Sequence, residues 1–462
     1  MDIEDILCKN GQSLKFITGF TLPENDVRVS PEASLLTEEE SQMPKVVREQ
    51  LILNRTTSEY RTIDSYCFNS SQSRVFTEIL QLVSSNANIP KVVFVDGPGG
   101  TGKTYLFNSL LNHIRSDEVD GGICLAVASS GTAALLLNGG TTAHSRLKIP
   151  IDINSNSICN IKPLSDLGTL IRKTKMIVWD EASMISRYAL EAVDRAFRDV
   201  CKVDDALLED VPFGGKVVVF GGDFRQVLPV VKKGSRNNIV DQCINRSSLW
   251  RHVTSLRLED NMRVLRAVGE EAAVLDKFSK YLLRIGDGSE PKIGGTEFDV
   301  AIDPCMALPN DSNLNKLYEA VYHNFSGSVF NNNMETFLTS RAVLTPNNAD
   351  VNNVNDYLIN DFDKEMNPSI IHLYSADALE SQDEQIQLSY PVEYLNSINY
   401  GGIPPHHLKL KVGCPIMLLR NLDSSNGLCN GTRLLCLNIQ PRIITAKIVT
   451  GKYYITKYNR YT

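Results

Sequence analysis

The sequence predicts an α/β architecture in which parallel sheets are covered by helices on both faces, with a small β-rich module at the end. Three observations carry this. Four short apolar runs, KVVFVDG, GICLAVAS, KMIVWDE and GKVVVFGGD, alternate with helical patterns between Ser65 and about Arg263, and each closes in a polar or glycine loop. Continuous apolar strands of this kind belong to a parallel sheet buried on both faces, with ligands collecting at the carboxyl ends of the strands. The same strand–loop–helix grammar recurs from Phe337 in FLTSRAVLTPNNADVNNVNDYLI. The last stretch differs: HLKLKVGCPIMLLRNL, GTRLLCLNI, RIITAKIV and KYYITKY are short, β-rich and divided by Gly, Pro or Asn turns, the pattern of a small antiparallel barrel.

Ahead of the first run, residues 1–61 are polar and acid-rich, with one amphipathic patch, VVREQLILN, that reads as a docking helix. The 462 residues are enough for two to four domains, and 42% hydrophobic with 22% charged residues is ordinary for a globular protein. No apolar run is long enough to span a bilayer, and the acidic start MDIEDILCKN lacks the pattern of a secretory signal. Ten cysteines occur singly, without a C-x-x-C pair, which disfavours structural zinc and a disulfide framework. Net charge is −7, but from Gly401 onward nine basic residues face Asp423 alone, giving +8 for the tail and −15 for everything before it. A basic module on an acidic body suits a phosphate backbone, although a solvated basic face gives the same count.

Chemistry concentrates in a few loops. Gly97, Pro98, Gly99, Gly100, Thr101, Gly102, Lys103 and Thr104 satisfy G-x-x-x-x-G-K-[ST] after a strand and before a helix. Glycines let backbone N–H groups close around a phosphate, Lys103 supplies positive charge, and the Thr104 hydroxyl can ligate Mg²⁺. Asp180 and Glu181 end the run MIVWDE; the first carboxylate suits Mg²⁺ and the second a general base for water. Gln226, three residues after Asp223 on the next strand's loop, can sense a γ-phosphate or be a polar loop residue. Arg263 in LRLEDNMRV can act across a cleft as an arginine finger or lie on the surface. Asn69 and Gln72 precede the first strand; a glutamine amide matches the edge of adenine, whereas Asn69 or Ser70 also suits a helix N-cap.

With the phosphate loop, WDEAS, GGDFRQVLPV and NMR in that order, the chain resembles the Pif-one family of superfamily-one DNA helicases, in its cellular and helitron-like branch. ASSGTAALLLNGGTTAHS, LTPNNADVNNVN, HLYSADA, PPHHLKLKVGCPIMLLRNLD and GLCNGTRL extend the likeness from about Phe68 to the end. The resemblance implies a first RecA-like ATPase domain over residues 62–263 with a wedge insertion at about 147–175. It further implies the first part of a second RecA-like domain over 264–385 and an SH3-like barrel insertion over 386–462. Implied with these are ATP and Mg²⁺ as cofactors, single-stranded DNA and forks as partners, 5′→3′ translocation, a nuclear or mitochondrial location, and a role in repair, recombination or telomere maintenance. By motif match, Asn69 and Gln72 read adenine, while Ser129, Ser130, Gly131, Thr132, His144, Thr345, Pro346 and Asn348 contact the DNA strand. Asn347 departs from the family's T-P-T-N. The barrel's lysines, arginines and Tyr453, Tyr454 and Tyr458 suit backbone neutralisation and base stacking.

In the family the chain re-enters the second motor domain after the barrel and carries further motifs with another arginine. Here the sequence stops at KYYITKYNRYT, so the expectation is a second motor domain lacking strands, and a chain that binds ATP–Mg²⁺ with slow or absent unwinding. A nucleotide- and DNA-binding remnant is the competing reading. The helicase part of a helitron transposase would require a His-hydrophobic-His nuclease motif, and His406 and His407 are instead adjacent. A small-molecule kinase is disfavoured by Gln226 and Arg263.

Overall fold

The computed structural model describes residues 36–56, 67–85, 89–116, 122–294, 299–309, 314–322, 337, 340–345, 348–361, 369–378, 390–398, 404–420, 422, 427–440, 443–449 and 457–461. Six strands, β1 (Val92–Asp96), β2 (Ile123–Ala128), β3 (Thr141–Thr142), β4 (Thr174–Asp180), β5 (Val217–Gly222) and β6 (Val253–Arg257), form one sheet in the order β3-β2-β4-β5-β1-β6. Every pairing in it is parallel. The four runs read from the sequence are β1, β2, β4 and β5, at its centre. Register aligns their carboxyl ends: Asp96 lies beside Gly222, and Ala128 beside Asp180. The loops that carry the chemistry therefore leave one edge of one sheet.

Alternation along the strands fills two layers. Phe94, Leu125, Ile177, Trp179, Val218 and Phe220 point to one side and pack against α7 (Arg187–Cys201) through Leu190, Val193 and Phe197. Val93, Val95, Ala126, Val178 and Val219 point to the other, against α2 (Ser70–Ser84) and α3 (Lys103–Arg115) through Val75, Ile79, Leu106 and Leu110. All of these are at most 2% exposed except Ala126 at 3%, so both faces are dry, as continuous apolar strands require.

The amphipathic patch near the start is α1 (Lys45–Thr56), and it belongs to this first unit rather than standing apart from it. Its Val47 is fully buried in the layer with α7. Because β3 is only two residues long and pairs with Val127 and Ala128 alone, the rest of the outer edge of β2 has no strand beside it among the described residues. Gln50 Nε2 of α1 and the buried Arg115 Nη2 of α3 both donate to the Cys124 carbonyl there, at 3.3 and 2.8 Å. Burial pulls the Arg115 guanidinium down to about 10. Between α5 (Ala143–Leu147) and β4, the expected wedge region begins as loops and continues into α6 (Asp166–Lys173). Leu170 and Ile171 of α6 are buried in the same layer as Val47.

After β6 come α8 (Met262–Arg266) and α9 (Glu270–Gly286), the second of which buries none of its residues. The segment expected to open a second parallel sheet departs from that reading. Residues 341–345 have no regular structure and α10 (Asn348–Asp361) follows. The next strand, β7 (Ile371–Tyr374), pairs antiparallel with β8 (His407–Leu410), which the sequence places in the barrel. The remaining strands, β9 (Pro415–Met417), β10 (Arg433–Gln440), β11 (Ile443–Ile448) and β12 (Lys457–Tyr461), form a four-stranded antiparallel sheet in the order β12-β11-β10-β9. A strand cannot keep apolar faces without neighbours, and among the described residues β7 finds its neighbour in β8.

Candidate nucleotide site

The phosphate loop runs from the end of β1 to the start of α3, and glycine is required in it for two separate reasons. Gly100 and Gly102 have φ of +96° and +82°, which side-chain-bearing residues avoid. A Cβ at either would also come within 2.6 Å of a neighbour: Asn261 Oδ1 for Gly100, Gln72 Nε2 for Gly102. Thr101 is buried and closes the turn by donating from Oγ1 to the Pro98 carbonyl at 2.9 Å. Gly99 is exposed at the tip. The Lys103 ammonium folds back onto the Gly97 carbonyl, inside the ring of the loop.

Opposite, β4 delivers the acid pair. Asp180 is 3% exposed, and the Thr104 side chain hydrogen-bonds it, so the two groups expected to hold Mg²⁺ are in contact. Burial raises the Asp180 carboxyl above its usual range, against the opposing pull of the Glu181 N–H and Lys103. Glu181 is raised too, first by burial and then by the charges of Asp180 and Asp223. Its backbone sits in the left-handed region at φ 53°, ψ 37°, uncommon for a non-glycine residue and frequent at functional positions. Glu181 Oε2 is buried with no hydrogen-bond partner, as is Ser183 Oγ in the following turn. A carboxylate oxygen left this way suits an incoming water, and the Thr104–Asp180 pair suits a divalent cation.

The remaining sequence-predicted residues fall round this centre. Gln226 is exposed on the loop after β5, and its amide donates to the buried Asp223 at 3.3 Å. Arg263 is exposed on α8, directly over the loop, with its Cδ 3.4 Å from where a Cβ on Gly100 would stand. Asn69 is the N-cap of α2 and, with Gln72, closes a capping box: Asn69 Oδ1 accepts from Gln72 N at 2.8 Å, and Gln72 Oε1 accepts from Asn69 N at 3.2 Å. Gln72 Nε2 also donates to the Thr101 carbonyl at 2.9 Å, so this buried amide ties α2 to the phosphate loop.

The strand-contacting candidates of the first unit lie along the same sheet edge. Ser129 N donates to the Asp180 carbonyl at 3.1 Å, joining that segment to the acid pair. Ser130 caps α4 (Gly131–Leu136), accepting from Ala133 N at 3.2 Å, and approaches Thr132 Oγ1 at 3.2 Å. The turn before β10 lies on them: a Cβ on Gly131 would meet the Asn430 carbonyl at 2.3 Å, and one on Gly431 would meet Thr132 Cγ2 at 2.6 Å. His144 is exposed on α5. Thr345 Oγ1 donates to Asp350 at 3.3 Å, and Asn348 is the first residue of α10; Pro346, Tyr453 and Tyr454 lie outside the described residues.

Two residues escaped the sequence reading. Asn261 caps α8 by accepting from Arg263 N at 3.1 Å, touches the loop at Gly100, and donates to Ser279 of α9 at 2.8 Å. Its place just before a helical pattern is an N-cap signal that could have been read. Arg225 lies between Asp223 and Gln226 and joins Asp223, Asp96 and Asp287; nothing local in the sequence announces partners so far apart.

Comparison with known proteins bears on the family and the fold. A family model described as PIF1-like helicase matches residues 67–294, and one described as DNA helicase Pif1, 2B domain, matches residues 393–439. The chain is 31% identical over 213 residues to ATP-dependent DNA helicase RRM3 of Saccharomyces cerevisiae, covering 45% of this chain and 27% of that protein. It is 25% identical over 387 residues to ATP-dependent DNA helicase PIF1 of Candida albicans, covering 82% of this chain and 35% of that one. It thus spans about a third of the length of such curated relatives. The crystal structure of Pif1 helicase from Bacteroides in complex with ADP-AlF3 and single-stranded DNA superposes with a TM-score of 0.52 at 22% identity, over 85% of this chain and 74% of that one, a likeness of fold. Among the described residues no helix is long and apolar enough to cross a membrane. The chain belongs to the PIF1-like helicase family.

Proposed function

We propose that this chain is the ATP-hydrolysing part of a DNA helicase that moves 5′→3′ along single-stranded DNA. The observation that carries the reading is the convergence, at one sheet edge, of the phosphate loop, the Thr104–Asp180 contact and the unpartnered Glu181 carboxylate. Mg²⁺ held by Thr104 and Asp180 would neutralise charge on the β- and γ-phosphates. Lys103 releases the Gly97 carbonyl to bind phosphate, and Glu181 accepts a proton from the attacking water. Gln226 would supply an amide and Arg263 a positive charge to the γ-phosphate.

Strand contact is assigned to Ser129, Ser130, Gly131, Thr132 and His144 in the first unit, with Thr345, Pro346 and Asn348 in the second. Support comes from the hydrogen bond between Ser129 and Asp180, which places the first segment one residue from the general base. Forked DNA is the further substrate, and the nucleus the compartment, as the family resemblance implies. The domains follow the sequence boundaries, with α1 added to the first unit and β8 shared with β7.

The test is ATP hydrolysis with and without single-stranded DNA, for this chain beside Lys103→Ala. DNA-stimulated turnover that disappears in the variant supports the motor. Nucleotide and strand binding without turnover in the unaltered chain would replace it with a binding protein.

A further inference from the structure

The nucleotide site is tied at two points to a helix that has no chemistry of its own. At one, Asn261, which touches the phosphate loop at Gly100, donates to Ser279 of α9 at 2.8 Å. At the other, Arg225, next to Gln226, reaches the helix end: its Nε donates to Asp287 Oδ1 at 2.6 Å, while its Nη1 donates to Asp223 Oδ1 at 3.2 Å. Asp96, at the end of β1, stands 3.9 Å from the same guanidinium. The two ties are about 12 Å apart along the helix axis, so they fix both its position and its tilt.

The fit at the second tie is close. Gly286 is the last residue of α9, and a Cβ there would lie 2.9 to 3.1 Å from Arg225 Cβ, Cγ and Cδ. The stem of Arg225 therefore rests on the helix end because no side chain stands in its way. Alanine would be the better helix former at this position, which makes glycine costly unless the contact matters. None of the residues of α9 is fully buried, and its other ties run to the segment that follows it: Tyr281 Oη donates to the Ala301 carbonyl at 3.2 Å, and Lys277 lies 3.7 Å from Asp303. A helix tied to the two sides of a nucleotide site follows a change in their separation and passes it to the segment packed on it.

We propose that α9 is a lever that reads the nucleotide state, and that Arg225 is the positioning residue joining its end to the loop of Asp223 and Gln226. The nucleotide itself rests on the ATPase reading above. When the γ-phosphate draws Gln226 inward, the Asp223–Arg225–Asp287 chain moves the end of α9, and with it the chain that continues beyond the first unit. Arginine is required because two different nitrogens serve two carboxylates; lysine offers a single point charge and cannot span them.

Amide hydrogen exchange tests this, with a non-hydrolysable ATP analogue and Mg²⁺ added to the unaltered chain and to Asp287→Ala, Gly286→Ala, Arg225→Ala and Arg225→Lys. In the unaltered chain, nucleotide slows exchange in residues 97–105 and changes it in residues 279–288. Asp287→Ala and Gly286→Ala, both away from the phosphate loop, keep the first response. They lose about threefold or more of the second, the scale a half-exposed ion pair supports. Arg225→Lys behaves as Arg225→Ala. A response in residues 97–105 with none in α9 overturns the lever and leaves the ATPase reading intact. A response in α9 that survives Asp287→Ala and Gly286→Ala overturns the role of Arg225. No response in either region overturns the ATPase reading, and the lever with it.

Discussion

Glu181 combines three costs: a left-handed backbone, burial among like charges, and a carboxylate oxygen without a partner. Under the proposed ATPase function, each is tolerated for the reacting state rather than for the fold. Because burial raises the carboxyls of Asp180 and Glu181, the folded protein holds protons there more readily than the unfolded chain. Stability from this pair is therefore lost as pH rises through the carboxylate range, and at neutral pH both ionised groups weaken the fold. Glu181→Gln should raise the melting temperature of the nucleotide-free protein while lowering turnover by roughly 10²- to 10⁴-fold, the worth of a general base. A drop in both quantities would remove the residue from that role. The acidic limb of the pH–rate profile should also lie above the ordinary glutamate range, since the deprotonated form is the active one. At Gln72 the effect runs through packing: Gln72→Ala leaves the Thr101 carbonyl and the Asn69 N–H unpaired, costing about 1–3 kcal/mol by denaturant titration.

Elements were legible in proportion to how local their causes are. The phosphate loop, the acid pair and strands β1, β2, β4 and β5 follow from short patterns whose periodicity and glycine spacing are sufficient in themselves. The N-cap at Asn69 follows from side chains three residues apart, and there the cap and the glutamine contact hold together. What the pattern hid depends on distant partners. VVREQLILN shows an apolar face but not what it meets, and Arg225 shows a charge but not the three carboxylates gathered round it. HLKLK reads as a barrel strand because its partner, β7, lies some distance away in the chain. Residues 341–345 have strand composition but no strand beside them among the described residues. For α1 the structure makes a definite forecast. Val47→Ala, which removes two fully buried methyl groups, should destabilise the first unit by roughly 2 kcal/mol, seen as a lower denaturant midpoint at unchanged slope. A shift within error would mean that α1 is not part of the cooperative unit.

At the scale of the molecule, an acidic body carries a tail of net +8. If strand binding runs through that tail, the affinity for single-stranded DNA should fall steeply between 50 and 200 mM salt, with a log–log slope of about −0.7 for each phosphate neutralised. Affinity for ATP, held by the phosphate loop and not by the tail, should change far less. A flat salt response would assign strand contact to the uncharged Ser129–Thr132 segment instead.

The sheet edge at Cys124 has a consequence of another kind. Outside its two-residue pairing with β3, β2 would offer bare carbonyls and amides to any extended chain that drifted past. Helix α1 and Arg115 occupy that position in the folded state. A helix outside the candidate nucleotide site thus guards the six-stranded sheet against sticking to its own copies. An ATPase fragment that begins at the phosphate-loop side of the family match, without residues 45–56, would keep every catalytic group and yet be prone to aggregate.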